Sequence, residues 1–158
     1  ISDSELFYWA GTNNQIYRTL MQLLQDGLVS QEIQLQESLP ARKVYSITAQ
    51  GSDALKAWVQ SEPETPELHN TFLIQLAWAD CLTSAELDAV AARYEGEINL
   101  QLKMAQEKAR RNQNSPQRSE RERFLWQKIH ENRITWLQTE LIWVRGLRRG
   151  LKAFGDEV

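Results

Sequence analysis

Asn13, Asn14, Gln15, Tyr17 and Arg18 stand at the start of a stretch whose apolar residues recur at helical spacing, and Arg42 and Lys43 follow further along the chain. Carboxamide side chains can pair bidentately with adenine, and a guanidinium with guanine or with phosphate. A major groove admits one helix, whose N-terminal residues meet the base edges. Two cations near a hairpin tip are placed to touch phosphate. These residue types in this order fit duplex recognition. The spacing alone equally allows a small α+β fragment with solvated polar ends.

Other chemistries find little support. His69 and His130 lie far apart, and neither has a ligating partner three or four residues away, so both are read as structural or surface residues. Cys81 is the single cysteine. No disulfide can form within the chain, no Cys/His metal cluster exists, and Cys81 itself is expected to be a small buried apolar residue. No nucleophile–base pair can be assembled, and no Gly-rich phosphate loop is present. The pairs Glu95/Glu97 and Glu120/Glu122 are two residues apart and do not face each other on a helix, so they are read as solvated surface. Neither a catalytic site nor a cofactor or metal is expected.

The polar residues need a scaffold. Thr12 followed by Gln15 is a capping box, and Ile16, Leu20, Leu23 and Leu24 mark the buried face of the helix it opens. Gly27 ends that helix, because glycine takes a left-handed backbone without strain. Glu32 to Glu37 and Arg42 to Thr48 read as two strands, with Pro40 between them. Thr48 then caps a helix from Ala49 to about Ser61, with Leu55, Trp58 and Val59 as its apolar stripe.

Gln15-Ile16-Tyr17-Arg18-Thr19-Leu20, Asp26-Gly27-Leu28-Val29, Pro40-Ala41-Arg42-Lys43-Val44-Tyr45-Ser46-Ile47-Thr48 and Gly51 resemble the winged helix-turn-helix of PadR-type transcriptional regulators, from about Phe7 to Trp58. The resemblance implies a dimeric DNA-binding regulator, usually a repressor. It implies a recognition helix at Thr12–Gln25 and a wing at Glu32–Thr48. The candidate DNA contacts are Thr12, Asn13, Asn14, Gln15, Tyr17 and Arg18 on the helix, with Arg42, Lys43 and Tyr45 on the wing. It also implies that helices precede Ile1, that Ile1 to Glu5 end a positioning helix or form the turn after it, and that Phe7 and Trp9 pack under the recognition helix.

Length and composition bound the rest. The 158 residues suffice for one ordinary domain or two small ones. An apolar content of 42% supports a core, and six Trp can bury large areas. The net charge of −3 is weak evidence against a nucleic-acid partner, since a local cationic footprint matters more than the total. Residues 1–63 hold only Arg18, Arg42, Lys43 and Lys56 against seven acidic side chains, so nonspecific affinity should be modest. No apolar run approaches the roughly 20 residues that span a bilayer, and a cytoplasmic protein is expected.

Glu62-Pro63-Glu64-Thr65-Pro66 is the best boundary in the chain. It separates a winged DNA-binding domain, 1–62, from an all-helical dimerisation domain, 63–158. Thr65 is expected to cap the next helix, with Pro66 in its first turn. Leu68, Phe72, Leu76 and Ala79 mark that helix. Thr83-Ser84-Ala85-Glu86 is a second capping box, opening a long helix with the stripe Leu87, Ala91, Tyr94, Ile98, Leu102, Ala105 and Ala109. After a loop at Asn112–Pro116, a last helix runs from about Gln117 to Ala153, with Leu125, Ile129, Leu137, Leu141, Val144, Leu147 and Leu151. The two long helices should form an antiparallel hairpin, coiled-coil-like in its spacing.

The apolar face of the last helix is too wide for two helices to cover. A second copy of the chain is the natural cover, through Trp126, Trp136, Leu137, Leu141, Trp143, Val144, Leu147 and Leu151. The layout, with Glu140-Leu141-Ile142-Trp143, resembles the C-terminal helical domain of the PadR branch related to virulence activators, which implies dimerisation. The groups Arg118, Arg121, Arg123 and Arg145, Arg148, Arg149, Lys152 are read as solvated faces. The expected whole is mostly α with a small β-hairpin wing. Its expected function, on that resemblance, is a homodimeric regulator of the repressor kind, bound to a pseudo-palindromic operator and released by a small aromatic effector. The alternative is a helical protein–protein adaptor that uses the winged fold as a scaffold.

Overall fold

The computed structural model describes residues 13–35, 42–66, 69–111 and 118–154. Thr12, the Leu6–Trp9 cluster, Pro40, Leu68 and the Asn112–Pro116 loop lie outside the described residues. The described residues divide into two compact units, 13–66 and 69–154.

The first unit begins with α1, Asn13–Gln25. Ile16, Leu20, Leu23 and Leu24 are half-buried and share one face, while Asn14, Gln15, Tyr17, Arg18, Thr19, Met21, Gln22 and Gln25 are exposed. The helix ends at Gly27, whose φ of 69° lies in the left-handed region. The amide of Leu28 bonds the Leu23 carbonyl at 2.9 Å and that of Gly27 bonds the Leu24 carbonyl at 3.2 Å. This is the double bond of a Schellman stop, which satisfies carbonyls the helix leaves over.

β1, Val29–Gln34, pairs antiparallel with β2, Arg42–Ile47, in a register from Val29↔Ile47 to Gln34↔Arg42. The first strand therefore starts earlier than the Glu32 expected. Pairing with β2 sets its extent, and Ser30 and Gln31 obscured it because polar residues carry little strand signal. α2, Ala49–Val59, is capped by Thr48 as expected. Its apolar stripe of Leu55, Trp58 and Val59 is exposed.

The second unit opens with α3, Thr71–Ala77, capped by Asn70. The expectation of Thr65 as cap and Pro66 in the first turn fails, since 62–66 adopt no regular element. Asn70 wins because its side chain accepts from the Phe72 amide at 3.0 Å. A single 3₁₀ turn, Ala79–Cys81, follows. Cys81 is exposed, contrary to expectation, and its thiol donates to the Trp78 carbonyl.

α4, Ser84–Arg110, starts with the expected capping box: Thr83 accepts from the Glu86 amide, and Glu86 accepts from the Thr83 amide. α5, Glu120–Leu151, is capped by Ser119. Bonds pairing Arg148 with Asp88, Arg145 with Glu95 and Arg133 with Gln101 show that the two long helices run antiparallel. Between them, Phe72, Ala91 and Val144 form one cluster of the core, and Ile98, Leu137 and Leu141 another.

Candidate nucleic-acid interface

α1 presents its polar side to solvent. Asn14, Gln15 and Arg18 are exposed, Tyr17 is 61% exposed and Met21 45% exposed. The spacing of Asn14, Tyr17, Arg18 and Met21 sets them on one face, opposite Ile16, Leu20 and Leu23. Asn13 opens the helix, next to Thr12 outside the described residues. On the C-terminal turn, Gln22 donates to the Asp26 carboxylate at 2.9 Å, closing the polar face there.

The hairpin beside it places the wing candidates. Arg42 and Lys43 are exposed at the end of β2 remote from the hairpin root, and Tyr45 is half-buried. Successive strand residues point to opposite faces. Lys43 therefore shares a face with Tyr45, Ile47 and their partners Ile33, Gln31 and Val29, whereas Arg42 shares the other with Val44 and Ser46. The two cations were expected near the hairpin tip, placed to touch phosphate. They reach opposite sides of the wing.

The root of the wing holds a feature that spacing did not show. The three carbonyls that leave α1 each accept a hydrogen bond from the start of α2. The Gln50 side-chain carboxamide donates to the Asp26 carbonyl at 3.4 Å, the Thr48 hydroxyl to the Gly27 carbonyl at 2.8 Å and the Thr48 backbone amide to the Leu28 carbonyl at 3.1 Å. The same hydroxyl accepts from the Gly51 amide at 3.0 Å. Gly51 is buried, and a Cβ there would overlap the Leu28 carbonyl oxygen and come within 2.9 Å of Ile47 Cγ1. The sequence signal was present as Thr48 with Gly51, but it pointed only to a cap.

The helical unit revises the interface candidates. Leu137, Leu141 and Val144 are closed off inside the chain against α3 and α4, so they cannot meet a partner. Leu147 is half-buried and packs against the same core, Leu151 is half-buried, and Trp126 is half-buried with its ring 6.4 Å from that of His130. Trp136 and Trp143 are 42% and 38% exposed, on one stripe of α5 with exposed Leu125 and Ile129.

The charged groups lie on largely solvated surface, as expected, and several of their cations are paired there. Arg148 bridges Asp88 at 2.8 Å and Glu95 at 2.7 Å, and Arg145 bonds the same Glu95 at 2.7 Å. Hydrogen bonds from Arg148 hold Asp88 below the ordinary carboxylate range, and those from Arg145 and then Arg148 do the same for Glu95. Arg118 pairs with Glu122, and Arg123 with Glu120. Cations engaged in this way are less available to phosphate.

Tyr94, Glu140 and Asn70 form a further polar cluster. The Tyr94 hydroxyl donates to Glu140 at 2.6 Å and accepts from the Asn70 side-chain carboxamide at 3.1 Å. Burial, then the Glu140 carboxylate, push the phenol up to about 12. His130 is buried, and desolvation lowers its pKa. A cleft of about 540 Å³ runs along α5, lined by Ala109, Arg123, Gln127, His130 and Gln138 among others. Among the described residues no group of three His, Cys, Asp or Glu could hold a metal, and no helix is long and apolar enough to cross a membrane.

Residues 5–57 match the Transcriptional regulator PadR-like family. A Mycobacterium tuberculosis protein named "Probable transcriptional regulator Rv1176c" is 37% identical over 60 residues, which cover 38% of this chain and 31% of that protein. The negative transcriptional regulator PadR of Bacillus subtilis is 25% identical over 80 residues, 50% of this chain and 44% of its own. The chain thus spans less than half the length of either curated relative in these alignments. The crystal structure of Bacillus subtilis PadR in complex with operator DNA matches with a TM-score of 0.79 at 17% identity, covering 91% of this chain and 80% of that one. The structure of the same protein with p-coumaric acid gives 0.74 at 16% identity, covering 92% and 81%. At such identities the likeness shows the fold: mostly α, with a two-stranded wing and long C-terminal helices. The family and these relatives are transcriptional regulators, not enzymes.

Proposed function

We propose that this chain, which carries a domain of the PadR-like family in residues 5–57, is a cytoplasmic DNA-binding transcriptional regulator that represses as a homodimer on a pseudo-palindromic operator. The observation that carries the reading is α1: its apolar face turns inward while Asn14, Gln15, Tyr17 and Arg18 stand exposed beside a two-stranded wing. Residues 1–62 are the DNA-binding part and 63–158 the dimerisation part. Two copies related by two-fold symmetry would set two such helices in successive major grooves, about one helical turn apart, and block access to a promoter. Bacillus subtilis PadR, whose fold this chain shares, was crystallised with operator DNA.

The dimer face we assign is the exposed α5 stripe of Leu125, Ile129, Trp136 and Trp143, with Trp126, Leu147 and Leu151 lying partly beneath it. Aromatic residues are the usual anchors of such surfaces. An effector is supported by the p-coumaric acid complex of Bacillus subtilis PadR and by the cleft along α5. A small aromatic ligand would release the operator only if its affinity differs between the DNA-competent and incompetent arrangements. The adaptor reading draws on one observation, the exposed stripe of Leu55, Trp58 and Val59 on α2.

Selection of bound fragments from a pool of random duplexes tests the proposal. A regulator of this kind should enrich two inverted half-sites with a fixed spacing. Recovery of no common sequence would overturn it and leave the adaptor reading in place.

A further inference from the structure

Thr48 does more than cap a helix. An N-cap needs only an acceptor, and the Gly51 amide at 3.0 Å supplies the donor for it. The hydroxyl has one proton to give, and it goes to another element, the Gly27 carbonyl at the end of α1, at 2.8 Å. The Thr48 backbone amide takes the next carbonyl, Leu28, and Gln50 takes the previous one, Asp26. The end of the reading helix, the root of the wing and the start of α2 thus meet at one residue. Gly51 permits the approach, since any Cβ would occupy the place of the Leu28 carbonyl oxygen.

Gly51 is the one buried residue among the described residues 13–66, and the apolar face of α1 is only half-buried. We infer that Thr48 is a positioning residue for DNA recognition: its donated hydrogen bond to the Gly27 carbonyl fixes the angle between the polar face of α1 and the wing. A duplex must be met by both surfaces at once, at base edges and at phosphate. A small rotation of one against the other removes the wing cations from the backbone. The inference rests on the DNA-binding reading proposed above.

Three substitutions separate latch from cap. Thr48→Ser keeps both bonds. Thr48→Asp keeps the acceptor that caps α2 but cannot donate to the Gly27 carbonyl. Thr48→Val keeps the shape and loses both. Affinity of the full chain for a mixed-sequence duplex is measured across a salt series, with helix content followed by circular dichroism. The Ser variant should bind as the parent does. The Asp variant should keep its helix content yet lose roughly ten-fold in affinity, with a shallower salt dependence because phosphate contacts are gone. Adding Arg42→Ala and Lys43→Ala to it should then cost little more, since those contacts are already lost.

An Asp variant with parental affinity and salt slope would overturn the inference and leave Thr48 an ordinary cap. A Ser variant as weak as the Asp variant would overturn it too. Should Thr48→Asp lose its helical signal, Gln50→Ala keeps the test open, because it removes the donor to Asp26 without touching the cap. A smaller loss with a shallower slope is then expected, and unchanged binding would overturn the latch. If the parent chain binds no duplex at low salt, the DNA-binding reading itself fails and the inference with it. A parent that binds, with variants indistinguishable from it, condemns the latch alone.

Discussion

The two compact units are stabilised in different ways. Among the described residues 13–66, the buried residue is a glycine, and the closest joints are hydrogen bonds to carbonyls at the end of α1. In 69–154, Leu137 and Val144 are withdrawn fully from solvent, Phe72 stacks on Tyr94 with ring centroids 4.0 Å apart, and ion pairs cross from α5 to α4. The helical unit is sensitive to lost volume. The winged unit is sensitive to backbone geometry.

The sharpest way to break this contrast is Leu137→Ala. It should cost about 2–5 kcal/mol, the range for emptying a fully packed leucine site, read as a lower urea midpoint for the helical unit. A change within about 0.5 kcal/mol, typical of surface sites, would mean that the α4–α5 core does not hold that unit together. The winged unit's counterpart is Gly51→Ala, which adds a single methyl group. It should cost about 1–3 kcal/mol through overpacking against backbone and abolish duplex binding. Its control is Gly96→Ala on α4, where a Cβ meets nothing within 4 Å. That change should stabilise by roughly 0.5–1 kcal/mol through helix propensity. If thermal melts show both substitutions to be neutral, the close approach at Gly51 does not constrain the fold.

These two positions also show what the sequence made legible. Local signals were readable: the apolar spacing of α1, the glycine stop at Gly27, the Thr48 cap and the Thr83–Glu86 box each involve residues within a few positions of one another. Signals that depend on distant partners were not. Leu137, Leu141 and Val144 were readable as a buried face, but periodicity cannot say whether the same chain or another covers it. The pairing of Arg145 and Arg148 with Glu95 and Asp88 spans fifty residues or more. The choice of Asn70 over Thr65 as a cap depends on where α3 packs. The candidate site was half legible in the same sense. The outward residues of α1 were named, while the separation of Arg42 from Lys43 followed from the strand register.

The smallest expected effect is a pH dependence confined to the helical unit. In the folded chain Tyr94 holds its proton up to about 12, against an ordinary value of 10. Between these values the unfolded chain has lost a proton that the folded chain keeps, so the unfolded state binds fewer protons and stability falls as pH rises from about 10 toward 12. Below 10 this contribution is fully present. Tyr94→Phe should flatten the slope of the urea midpoint in that window and remove a late-titrating phenolate from the ultraviolet absorbance. An unchanged slope in the variant would show that Tyr94 is not the source.

The central claim is that the polar face of α1 and the wing together meet a duplex. The affinity of the full chain for double-stranded DNA over a range of salt concentration tests it most directly. Affinity should fall log-linearly with salt, because the counterions displaced by phosphate contacts gain less entropy when released into more concentrated salt, and it should fall at every salt when Arg18 is replaced by Ala. No duplex binding at low salt, or binding that ignores both salt and Arg18, would contradict it.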